Sequence, residues 1–117
     1  MKRLFTAILL CLASPALAEE PQILQVSTQK TGAAWRFSVT LQHPDTGWAH
    51  YADGWRVLDM QGKELGLRNL AHPHEQEQPF TRSLGGIVLP AGSTQVQVQA
   101  RCLVDSWASE TFIVDLK

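Results

Sequence analysis

Disulfide cross-linking is the first thing this sequence cannot supply. It holds two cysteines, Cys11 and Cys102, and Cys11 falls in an N-terminal leader that is expected to be removed. One remaining thiol makes no internal bridge, so unlike many small exported domains the folded chain must be held by its core. No Gly-x-Ser-x-Gly elbow is present, no His-Glu-x-x-His and no Cys-x-x-Cys, and Ser83, Ser106 and Ser109 have no base beside them in sequence. The chain is therefore read as not an enzyme. A basic stripe is missing too. Without Lys2 and Arg3, the ten basic side chains become eight against eleven acidic ones, a net charge near -3, which excludes nucleic acid as an expected partner. Beyond the first twenty residues no apolar run is long enough to cross a bilayer, and no amphipathic helical period is found.

The leader itself is explicit. Met1-Lys2-Arg3 is a short basic start, Leu4 to Leu12 is apolar, and Ala16-Leu17-Ala18 sets small residues before Glu19. This is the pattern of a secretory signal peptide over residues 1–18, cleaved after Ala18. Leu10 before Cys11 argues against a lipoprotein site. Residues 19–117 then form one domain, about 99 residues long, expected to be exported, soluble and periplasmic, with no membrane span.

That domain reads as short alternating strands. Trp35, Phe37, Val39 and Leu41 alternate with Arg36, Ser38, Thr40 and Gln42, which marks a strand buried on one face. Val96, Val98, Ala100, Cys102 and Val104 alternate with glutamines, Arg101 and Leu103 in the most regular strand. Leu24, Val26 and Thr28 begin the series, Gln61-Gly62 closes a hairpin, Gly85-Gly86 implies a bulge or a bend, and Asp105 to Ser109 reads as a loop before a last strand over 111–116. About seven strands at this spacing predict an all-β, antiparallel two-sheet sandwich of immunoglobulin or fibronectin-III type, with Trp35 or Trp55 at its centre; a small barrel is the alternative. The missing disulfide favours the fibronectin-like form.

Two loops carry what chemistry there is. His43-Pro44-Asp45-Thr46-Gly47-Trp48-Ala49-His50-Tyr51-Ala52-Asp53 and His72-Pro73-His74-Glu75 hold every histidine in the chain. In a sandwich these become the second-to-third and fourth-to-fifth strand connections, which emerge at one pole. His72, His74, His50 and His43, in that order, are the candidate ligands for a transition metal, copper or zinc, because neutral imidazole is the usual nitrogen donor for both. Trp48, Tyr51, Asp53 and Trp107 would form the surrounding ligand or partner surface. The plainer alternative gives these histidines hydrogen bonds to the backbone and makes Cys102 a small core hydrophobe, with a metal-bound thiolate as its other reading. A rival function at the same pole is protein–protein interaction through exposed aromatics, with another envelope protein as partner.

The motif Thr46-Gly47-Trp48-Ala49-His50-Tyr51-Ala52-Asp53, together with His72-Pro73-His74-Glu75-Gln76-Glu77-Gln78-Pro79-Phe80-Thr81-Arg82-Ser83-Leu84, resembles a group of small exported bacterial proteins of unassigned function. The resemblance spans nearly all of the mature chain and implies a periplasmic setting. It brings no activity, ligand or residue role with it.

Overall fold

A computed structural model describes residues 20–116. The signal peptide over 1–18, its cleavage site and Cys11 lie outside the described residues. The strands are β1 (Gln22–Thr31), β2 (Ala34–Gln42), β3 (Ala52–Leu58), β4 (Glu64–Asn69), β5 (Phe80–Ile87), β6 (Gln95–Cys102), β7 (Ser106–Trp107) and β8 (Phe112–Asp115). They form two antiparallel sheets, one ordered β1-β2-β5 and the other β4-β3-β6-β7, with β8 also on β6. This is the β-sandwich that the strand spacing predicts.

The core follows from alternation. Phe37, Val39 and Leu41 of β2 are fully buried, while Ser38 and Thr40 point away and pair with Ser83 and Thr81 of β5 through hydroxyls 2.7 Å apart. From the other sheet, Trp55, Val57, Val96, Val98 and Ala100 close the same core. Trp55 is the central tryptophan, at 0% exposure, whereas Trp35 is only partly buried against the cluster. Each large apolar side chain removed from water here contributes about 1.5–3 kcal/mol, which offsets the lack of a cross-link.

The β3–β4 connection decides which sheet β4 joins. Asp59 Oδ1 accepts the backbone N–H groups of Gln61 and Lys63, at 2.9 and 2.8 Å, and Gly62 turns the chain at a φ of 91°. So short a turn keeps β4 beside β3, instead of sending it to the first sheet as in immunoglobulin constant domains.

Several local expectations change. β1 bulges against β2 between Ile23 and Gln25, so Ile23 and Val26 share the partly buried side and Leu24, expected to face inward, is left 47% exposed. β6 ends at Cys102, because the chain turns at Leu103, and Val104 is exposed instead of continuing the inward face. The expected loop over 105–109 contains β7, an extra short strand paired to Arg101 and Cys102, so eight strands replace seven. The bulge at Gly85-Gly86 is present: Trp35 pairs with Ile87 but Phe37 pairs with Leu84, and Gly86 takes a φ of 71° that favours glycine.

The polar face of β6 is not simply solvated. Gln99 accepts from Arg56 of β3 through Nε and Nη2, at 3.0 and 2.7 Å, and donates to the Ala108 carbonyl. Gln97 donates to the Asp59 carbonyl and accepts from the Thr111 hydroxyl. These glutamines tie β6 to both neighbours and fix the height at which the strand delivers Cys102 to the pole.

Candidate metal centre

The loop between β2 and β3 begins with His43, which is 1% exposed. Its backbone N–H donates to Gln78 Oε1 of the β4–β5 loop, and its carbonyl accepts the Asp45 N–H at 2.8 Å in a tight reversal around Pro44. That reversal aims the Asp45 carboxylate back under the imidazole. Asp45 Oδ1 lies 2.6 Å from His43 Nδ1 and also accepts the Ala52 N–H at 3.0 Å, while Oδ2 accepts the His74 N–H at 2.7 Å. The side chains of His43 and Asp45 are both closed to solvent. One carboxylate therefore joins its own loop, the start of β3 and the β4–β5 loop. It neutralises several buried donors at once, an arrangement worth about 1.5–3 kcal/mol for each such charged bond.

The same contact fixes a tautomer. A carboxylate has no proton to give, so His43 Nδ1 is the donor, and in the neutral ring Nε2 then carries the free lone pair. That Nε2 is buried and has no hydrogen-bond partner. A second ring comes to it from the turn that follows. Thr46 N–H donates to the His50 carbonyl and His50 N–H to the Gly47 carbonyl, at 3.0 and 3.1 Å, with Gly47 at a φ of 140° where a side chain would be strained. The reversal leaves Trp48 at the tip, 67% exposed and edge-on to Tyr51, and folds His50 back onto His43 with ring centroids 4.8 Å apart. His50 Nε2 is also buried and without a partner. The third member is Cys102, fully buried at the end of β6 and paired across to Ala52. One donor atom from each of His43, His50 and Cys102 lies within 4.8 Å of the others, close enough to hold a metal ion. Orphaned buried polar atoms are costly in a folded protein, and a bound cation would satisfy both imidazoles together.

The second histidine loop is built differently. His72 is exposed, and its Nδ1 donates to the Pro73 carbonyl at 3.0 Å. His74 is 5% exposed and stacked on Phe80, with ring centroids 3.9 Å apart. Its Nε2 accepts from Arg82 Nη2 at 2.9 Å, which leaves the proton on Nδ1, facing Asp45 Oδ2 across 4.0 Å. Burial, then the Arg82 guanidinium and the His72 ring, hold the His74 imidazole below its ordinary pKa, against weaker opposing pulls from Glu77 and Asp45. Gln78 Nε2 completes the loop by donating to the His74 carbonyl at 2.9 Å.

The expected convergence of loops is thus present, as two ring pairs on either side of Asp45: His43 with His50, and His72 with His74, whose centroids are 4.5 Å apart. Of the other residues singled out, Tyr51 is half-buried and its carbonyl accepts the Leu103 N–H; Asp53 accepts from Arg101 Nε at 3.0 Å; and Trp107 is half-buried beneath the Arg56 and Arg101 guanidiniums, at 3.8 and 5.2 Å. Sequence reasoning underweighted two residues. Asp45 is absent from the expected ligand and surface residues, although its spacing of two from His43 was the available signal. Cys102 reads as core, although the strand carrying it runs straight at the pole.

The chain is 39% identical over 97 residues, 82% of its length, to "Putative lipoprotein" of Halomicrobium mukohataei. The match covers 47% of that protein, so the chain spans about half the length of this relative. No protein-family model matches the chain, and no solved structure matches it.

Proposed function

We propose that the chain is an exported, periplasmic, non-enzymatic binding protein whose pole takes up one transition-metal ion, copper or zinc, through His43, His50 and Cys102. The observation that carries this reading is the cluster of His43, His50 and Cys102, each with a donor atom within 4.8 Å of the others, in which the Nε2 atoms of both rings are buried without partners. Asp45 supports it, because a carboxylate on the far nitrogen of a ligating histidine orients the ring and raises its basicity. In this reading His72 and His74 do not ligate: Arg82 occupies the lone pair of His74, and a cation there would meet a guanidinium. They brace the loop that braces Asp45. Export is supported by the leader pattern over 1–18 and by the lipoprotein name of the relative. No helix among the described residues is long and apolar enough to cross a membrane.

Calorimetric titration of tag-free 19–117 with Zn(II) and with Cu(II) is the direct test. One ion should bind per chain, His72→Ala should leave the isotherm unchanged, and His50→Ala should weaken it by at least about a hundredfold. Loss of binding in His72→Ala with retention in His50→Ala would assign the site to the other loop. Fractionation of cells expressing the full chain checks the compartment. A second reading, a protein-interaction surface, is favoured by the exposure of Trp48 at 67% with Val104 at 59% and Leu103 at 42%. Pull-down with and without Trp48→Ala from envelope extract distinguishes it, since metal binding would be untouched by that change.

A further inference from the structure

We propose that the ion is divalent copper, held in a three-coordinate set of His43 Nε2, His50 Nε2 and the Cys102 thiolate. This rests on the metal reading above and goes further by choosing between copper and zinc.

Three observations bear on the ion, and the first carries the choice between the two metals. The first is the number and kind of donors. Among the described residues the cluster contains two imidazoles and one thiol, with no fourth histidine, cysteine or carboxylate. Structural zinc takes four protein ligands in a tetrahedron, and catalytic zinc keeps an open position for water. A three-donor set is one ligand short of the structural tetrahedron, and although it has the ligand count of a catalytic zinc site, its free ring nitrogens are both closed to the solvent that would fill the open position. Two histidines and one cysteine in a trigonal arrangement are the donor set of copper–thiolate centres.

The second observation is charge. Binding removes the proton of Cys102, which is 0% exposed, and leaves a thiolate in the same pole as the Asp45 carboxylate, whose side chain is also fully buried. The two imidazoles are neutral as ligands. Two buried negative charges balance one divalent ion, whereas a monovalent ion would leave one negative charge uncompensated in the core, a costly arrangement. Asp45 thus counts toward the ion's charge without touching it, acting through the Nδ1–H of His43 at 2.6 Å.

The third is isolation. Cys102 lies under the pole, paired in β6 between Ala52 of β3 and Ser106 of β7. No part of it reaches solvent, so a second chain cannot present a thiol to it and a disulfide cannot form without unfolding the end of the strand. In an exported setting that protection keeps the sulfur available as a ligand.

Preferring copper by affinity alone proves nothing, because copper outcompetes zinc for almost any nitrogen–sulfur site. The readout is therefore spectroscopic. Cu(II) added to tag-free 19–117 should bind one ion per chain and give an intense visible thiolate-to-copper charge-transfer absorption. Cys102→Ser should abolish that band, and His72→Ala should keep it. If Cys102→Ser fails to fold by circular dichroism, His50→Ala, on the half-buried turn, should remove or strongly shift the band in a folded protein. Copper binding without the band, or a band that persists in Cys102→Ser, overturns the assignment. Co(II) substitution giving the spectrum of a four-coordinate tetrahedral ion also overturns it, while leaving a metal site of the zinc type standing. If neither copper nor zinc binds, the metal reading and this one fall together.

Discussion

The two histidine loops occupy the same pole and contribute two imidazoles each, yet they use them in opposite ways. In the β2–β3 loop both rings keep an Nε2 buried and without a partner. In the β4–β5 loop the outward nitrogens are engaged, Nδ1 of His72 on the Pro73 carbonyl and Nε2 of His74 on Arg82. The difference lies in which atom each loop gives to Asp45. The first gives a ring nitrogen, which sets the tautomer and exposes a lone pair to the interior; the second gives a backbone N–H, at 2.7 Å, which sets only a loop shape. Identical residue types at one pole thus divide into a pair whose Nε2 atoms are left without partners and a pair in which Nδ1 of His72 and Nε2 of His74 are engaged within the protein.

The sharpest way to break that division is to delete each group. Replacing His43 and His50 together by Ala should abolish uptake of Cu(II) or Zn(II), a loss beyond about a hundredfold, while His72→Ala leaves it intact by calorimetry. Equal losses from both loops would erase the distinction. Next in size is Asp45, which serves both sides. Asp45→Ala leaves buried N–H donors on Ala52 and His74 without an acceptor and should cost about 3 kcal/mol in urea unfolding. Asp45→Asn, which keeps the volume, should fold and bind metal about 10–100-fold more weakly, because His43 loses its charged orienting partner.

A smaller effect separates the loops by pH. His74 has its pKa lowered in the folded state by burial, Arg82 and His72, with Glu77 and Asp45 opposing, so the unfolded chain takes up that proton more readily. Metal-free stability from this group is complete above the unfolded histidine value of about 6.5 and is lost as pH falls from there through the folded value. Urea midpoints should drop on going from about pH 7.5 to about pH 5, and Arg82→Gln, which removes the second cause of the shift, should flatten the drop. A midpoint that rises on acidification would contradict the assigned neutral ring. Least of all, Trp48→Ala at the exposed tip should change stability by less than about 1 kcal/mol and leave metal uptake unchanged, since only its edge contact with Tyr51 is lost.

Much of the scaffold could be read from residue order. The alternation of Phe37, Val39 and Leu41, and of Val96, Val98, Ala100 and Cys102, is a direct image of two inward faces, and it identified the sheets without any contact information. Where main-chain pairing overrides side-chain pattern, the reading slipped. Leu24 looks inward by period but a bulge turns it out, and Val104 continues a pattern the backbone has already abandoned at Leu103. The site shows the same limit. That the histidine loops meet follows from topology, but which ring nitrogens stay free depends on a 2.6 Å contact within His43-Pro44-Asp45 and on Arg82 arriving from β5. His-Pro-His is the more eye-catching pattern for a chelate, and the sequence-based order of candidates therefore began with His72 and His74. Neither the guanidinium beside His74 nor the thiol beside His43 leaves a trace in local spacing, because both are brought in by strands from elsewhere in the chain.

The backbone bonds that Asp45 accepts also have a kinetic side. Ala52 opens β3 and His74 sits 22 positions later in another loop, yet their amide protons rest on two oxygens of one carboxylate. Exchange of these two amides with deuterium should therefore follow a shared opening event, and any ligand that immobilises the His43 ring should slow both together. Paired protection at such distant positions would make the pole a single cooperative unit, with occupancy at one side recorded in the solvent exchange of the other.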